Sequence, residues 1–192
     1  MSMIDFRTPA AGFDQPLELW LACHDRVQRM CTLLQRLLEH VHTNGVDDQA
    51  RVTAASIRRY FDEAAPRHHE DEEVDLFPRL LKHLEGRTES EATGVRSAIA
   101  LLEGDHREMR RLWSVLRDAL AAIDGGDAGA LDEAVVGLFV SRYRSHCEVE
   151  DTVIAPALRR ALSAEELGQI GRTMAQRRGV DWDEIAAPRS RP

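Results

Sequence analysis

The chain has 192 residues, 43% of them hydrophobic, 5% aromatic and 30% charged, a length that buries one sizeable core and a mixture that favours helices over strands. Its formal net charge of -8 and pI near 5.5 oppose phosphate backbones and anionic lipid, which excludes nucleic acid and membrane surfaces as partners. Cys23, Cys31 and Cys147 are odd in number and form no Cys-x-x-Cys pair, which argues against a disulfide framework or a zinc knuckle; the first residues show no basic stretch followed by an apolar run, and no apolar run approaches the length of a membrane span, so neither export nor membrane spanning is indicated and a cytoplasmic location is expected.

Asp14-Gln-Pro-Leu offers an N-cap followed by proline in the first turn, where N–H groups lack helical partners. It predicts a first helix from about Pro16 to His42, with Leu17, Leu21, His24, Val27, Cys31, Leu34, Leu38 and Val41 facing inward. Asn44-Gly45 ends that helix, and Asp47 or Asp48 caps a second one running to about Leu84. Pro66 and Pro78 fall inside it, where each removes an N–H and either bends the helix or divides it.

A polar connection leads to a third helix, in which Val95, Ile99, Leu102, His106, Met109, Trp113, Leu116, Leu120 and Ile123 form the most regular stripe in the chain. The glycine-rich turn starting at Asp124 precedes a fourth helix, predicted from about Leu131 to Leu162 and interrupted at Pro156. Ser163-Ala-Glu-Glu has the spacing of a capping box and opens a short fifth helix to about Arg178, closed by Gly179. Residues 179–192 are expected to form a tail without an assigned function.

An internal duplication organises these elements. His68 is followed by Glu72 and Pro78, and His146 by Glu150 and Pro156, at identical spacings, with Phe61 and Phe139 each seven residues before the histidine. His24 and His106 occupy inward positions on the first and third helices and are followed by similar sequences. The chain therefore reads as two tandem helical hairpins, each with one histidine on its first helix and a His-x-x-x-Glu pair on its second.

Residues four apart share a helical face, so His68 and Glu72, and likewise His146 and Glu150, point toward one place. Burying ionised carboxylates without compensation costs several kcal/mol each, and a metal cation removes that cost. Four imidazoles and two bridging carboxylates, without thiolate, favour iron or manganese over structural zinc and leave coordination positions open for dioxygen, nitric oxide, peroxide or solvent. The competing pair His69 and Glu73 lies about 100° further round the helix; His69 is expected at the surface, with an auxiliary or outer contact as the alternative. His40 and His83 lie over ~20 Å along their helices from His24 and His68, and these two, with His42, are set aside.

The twofold pattern of a lone His and then His-x-x-x-Glu before an apolar-Pro ending, over about Pro16 to Leu162, resembles the hemerythrin-like HHE cation-binding family. The resemblance implies an all-α, up-down-up-down four-helix bundle with a short additional C-terminal helix, forming one domain with a core at about 16–162. It implies a non-haem di-iron centre of the Fe-O-Fe type, for which manganese or zinc substitutes, held by His24, His68, Glu72, His106, His146 and Glu150. Oxygen-carrying members place two histidines four apart on the third helix, where this chain has Leu102 and Arg110 flanking His106. They also use an Asp five residues after the last His, a spacing met here by Asp151 beside Glu150.

The implied function is binding or sensing of a small oxidant, or iron handling. A di-iron enzyme reducing peroxide or nitric oxide, an iron donor for iron-sulfur cluster repair and a structural interaction bundle are the alternatives. The expected ligand is a diatomic or peroxide; a homodimer is compatible with the sequence, which names no protein partner.

Overall fold

The computed structural model describes residues 11–182, and every regular element among them is helical. Helix α1 spans Pro16–Asn44. A second rod comprises α2 (Asp48–Arg59), α3 (Ala65–Glu70) and α4 (Phe77–His83), joined by the π-helical turns π1 (Tyr60–Ala64) and π2 (Asp71–Leu76). Helix α5 covers Ser90–Asp124; α6 (Glu133–Val149) continues through π3 (Glu150–Ile154) into α7 (Ala155–Ala161), and α8 is Ala164–Arg177. No helix of the described residues is long and apolar enough to cross a membrane.

The boundaries follow local chemistry. Gly45 takes φ 76° and returns its N–H to Val41 O, as the Asn-Gly signal predicts. Asp47 accepts from Ala50 N at 2.7 Å, and Ser163 and Glu166 form the expected capping box. The N-cap of α1 is Gln15 rather than Asp14, with no side-chain bond, and Pro16 opens the helix. The tail falls outside the described residues from 183 onward.

The prolines neither divide the rods nor end them. A proline ring clashes with the carbonyl four residues back and has no N–H to offer. Each of Pro66, Pro78 and Pro156 follows a π turn in which the preceding residue's N–H reaches five residues back: Ala65 to Tyr60 O, Phe77 to Glu72 O and Ala155 to Glu150 O. The widened turn relieves the clash while the chain stays helical. Because Glu and Pro are six residues apart in both halves of the duplication, Glu72 and Glu150 each supply the carbonyl that such a turn closes on.

Helix α1 packs against α2 and α6, and α5 packs against the same two, which closes a ring of four rods. Their buried apolar residues separate into two clusters. One contains Val27, Leu34, Phe61, Met109 and Phe139, and the other Leu17, Trp20, Leu76, Leu102 and Ile154. Along every rod the buried histidines lie between members of the two clusters. The stripes depart from expectation in places: on α1 Trp20 is fully buried and Leu21 only partly, because the wide indole fills the space beside His24, and Leu37 is buried too, while on α5 Leu112 is buried and Trp113 only partly.

Helix α8 lies against α1 and π2. Gly171 lets α8 also press on the segment leading into α1, since a Cβ there would stand 2.0 Å from Phe13 O, a backbone atom that cannot swing away. Gly171→Ala is therefore expected to cost about 1–3 kcal/mol through overpacking, measured as a lowered midpoint in urea with an unchanged slope. An unchanged midpoint would show that α8 is not closely seated.

Candidate metal centre

All six residues singled out by the duplication meet in the layer between the two apolar clusters. Two sets of donor atoms lie within 4.8 Å of one another: His24, His68, Glu72 and Glu150 in one, and His69, Glu72, His106 and His146 in the other. Every one of these residues is buried. Glu72 belongs to both sets, with Oε1 2.9 Å from His68 Nε2 and Oε2 3.1 Å from His106 Nε2. Glu150 also faces both, its Oε2 lying 3.3 Å from His24 Nε2 and 3.4 Å from His146 Nε2.

His69 is the main correction. It is 5% exposed, as buried as His68, and belongs to the second set. At helical spacing Glu72 stands about 40° from His68 and about 60° from His69 around the axis. The inward arc of this rod is wide enough for both imidazoles, one on each side of the shared carboxylate. The duplication concealed this, because Cys147 occupies the corresponding place in the other half.

Two of the outer nitrogens have hydrogen-bond partners, whereas His68 Nδ1 and His146 Nδ1 have none. His24 Nδ1 is 2.8 Å from Asp151 Oδ1, and His106 Nδ1 is 2.7 Å from Glu73 Oε1. Asp151 and Glu73 thus fix ring orientation and leave Nε2 turned inward, the arrangement that tunes metal-binding histidines. Asp105, paired with Arg142, stands 3.7 Å from His146 Nδ1. The Trp20 indole N–H donates to Glu72 Oε1 at 2.6 Å, a contact whose only sequence signal is that Trp20 lies one helical turn before His24. His40 and His83 pair with Asp47 and Glu166 instead, far from this layer in the chain.

Burial and charge act in opposite directions on these groups. Burial disfavours ionised Glu72, but the His68 and His106 imidazoles outweigh it and hold the carboxyl well below its ordinary range. Burial likewise pushes His68, His24 and His106 down. Glu72 and the Cys23 thiol raise His68, Glu150 raises His24 and Glu72 raises His106, so all three end above the usual value. His69 is lowered well below it by burial and by the neighbouring His106, which keeps the ring neutral with a lone pair to give. Burial raises Cys31 to about 12 and raises Cys147 further, so neither thiol is a ready ligand.

A cation fits this donor set. His24 Nε2, His69 Nε2, Glu72 Oε2 and both Glu150 oxygens are buried without a hydrogen-bond partner, although neighbouring donors approach to between 3.1 and 3.4 Å. Each orphaned buried polar atom costs about 1–3 kcal/mol. Five such atoms converging on one layer are what lone pairs aimed at common central points produce, and imidazole with carboxylate is a metal-binding donor set.

Comparison with known proteins agrees. The family described as the hemerythrin HHE cation-binding domain matches residues 15–159. The chain belongs to the hemerythrin HHE family. A protein of Haemophilus influenzae, described as an uncharacterized protein, is 30% identical over 170 residues, which span 88% of this chain and 94% of that one. The match to the HHE domain takes in all seven clustered histidines and glutamates, whereas α8 lies beyond its end.

Proposed function

We propose that the cluster holds a two-metal iron centre through His24, His68, Glu72, His106, His146 and Glu150, with His69 as a seventh ligand. The chain would then bind or sense a small oxidant, or handle iron. The observation that supports this best is Glu72, which is fully buried and presents one oxygen to each histidine set. Iron with incomplete coordination supplies affinity for dioxygen, nitric oxide or peroxide. His69 offsets the histidine that this chain lacks on α5 relative to the oxygen-carrying members, because it brings a third imidazole to the set containing His106.

The remainder of the reading is a single hemerythrin-like unit of up-down-up-down order, cytoplasmic, acting on a small ligand; the net charge of -8 opposes nucleic acid and anionic lipid. Protein expressed with iron is expected to contain about two metals per chain, one for each donor set. His68→Ala combined with His146→Ala is expected to abolish both. Absorption bands that respond to azide would report an open position. Metal content that survives the double substitution would reject the reading.

A further inference from the structure

The structure assigns a second binding site beside the cluster, for a neutral single-ring aromatic molecule of phenol size. A cavity of about 170 Å³ opens between the second rod and α5. Its walls include the rings of Phe61, Trp113 and Tyr143 and the thioether of Met109, and His69 stands at its polar side with Glu73. Ring centroids of Phe61 lie 5.0 Å from Trp113 and 5.5 Å from Tyr143, and Tyr143 is stacked 6.0 Å from His69.

Size and chemistry select the occupant. An engineered apolar cavity of about 150 Å³ takes benzene, so this cavity holds one ring. Aromatic walls and a methionine sulfur favour an aromatic ring over an aliphatic one, through offset or edge contacts and sulfur–ring contact. The charged groups at the rim are already engaged: Glu73 with His106 Nδ1 at 2.7 Å and Arg110 at 3.5 Å, and Glu70 with Arg177 at 3.1 Å. None is left to neutralise an ionic ligand, which makes the occupant uncharged, and its hydroxyl has the His69–Glu73 side to face.

The cavity is formed by protein atoms alone and does not depend on the metal reading. Phenol is titrated into chelator-treated and iron-loaded full-length protein, with benzoate as the charged comparator, while methionine methyl resonances are followed by NMR. Met109 is expected to shift saturably with phenol in both preparations, with Met30 and Met174 unmoved, and benzoate is expected to bind at least about tenfold more weakly. Val74 lines the mouth and is 57% exposed; Val74→Trp caps the cavity without entering the core and is expected to weaken phenol about tenfold or more. No saturable Met109 shift, equal binding of benzoate, or phenol affinity unchanged in V74W would each overturn the proposal. A failure of iron loading alone would overturn only the metal reading.

Discussion

Glu72→Gln is expected to lose metal from both donor sets, with affinity reduced at least about 100-fold, more than the loss typical of an outer partner alone. The amide is nearly isosteric and keeps an oxygen that accepts from the Trp20 indole, so the fold should survive the change. It removes a charge that both sets share, and it places N–H donors where a cation would sit. Glu150→Gln is expected to lose less, because only the set containing His24 and His68 includes Glu150 among its closest donors. Metal content and metal-dependent stabilisation read the difference: at a hundredfold excess over Kd a ligand adds about 2.7 kcal/mol, and E72Q should gain almost none of it. Equal, large losses in the two variants would show that Glu150 is shared between the sets as fully as Glu72. Undiminished metal content in E72Q would remove it from the centre altogether.

The reason Glu72 was legible in the sequence, and His69 was not, lies in what a duplication records. Two copies of His-x-x-x-Glu-x5-Pro report what both hairpins need: an imidazole and a carboxylate on one face, and a proline that places a π turn at the carboxylate. A residue present in only one copy carries no such signal. His69 is matched by Cys147, so the duplication argued for the surface while the inward arc of the rod admitted it. The α1 stripe shows a related limit: periodicity located His24, but which neighbour filled the space beside it depended on the size of Trp20 against Leu21. Asp151 and Glu73 stood next to ligands in sequence, yet their use on outer nitrogens depends on which rod each faces.

The contacts of α8 were beyond sequence reasoning, since they join residues more than a hundred positions apart. Arg177 pairs with Asp71 and lies 2.9 Å from Asp75, while Arg178 Nη2 is 2.6 Å from Asp71 Oδ2. Asp71 and Asp75 are buried, and both belong to π2, the turn that carries Glu72. A helix outside the HHE match thus holds a turn inside it by charge.

Arg177→Met is expected to destabilise the chain by as much as about 3 kcal/mol, because two buried carboxylates each lose one of two cations, Asp71 keeping Arg178 and Asp75 keeping Arg79. For a chain of this size that corresponds to a fall in Tm of roughly 6–12 °C. The pH dependence follows from the sign of the Asp71 shift. Burial raises its pKa, and Arg178 and Arg177 only partly reverse that. A raised folded-state pKa means that the protonated form is the one favoured by folding, so the contribution of Asp71 is fullest below its unfolded value and declines as pH rises through the folded one. Arg177→Met raises that pKa further. The deficit of the variant should therefore be largest near neutral pH and shrink as pH falls through the acid range, in paired urea titrations against the unmodified chain. A deficit that stayed constant with pH would mean that Arg177 acts through packing of its stem rather than through charge. If instead the charge deficit appears and metal affinity falls with it, then the position of Glu72 depends on α8, and the centre reaches beyond the four rods that bear its ligands.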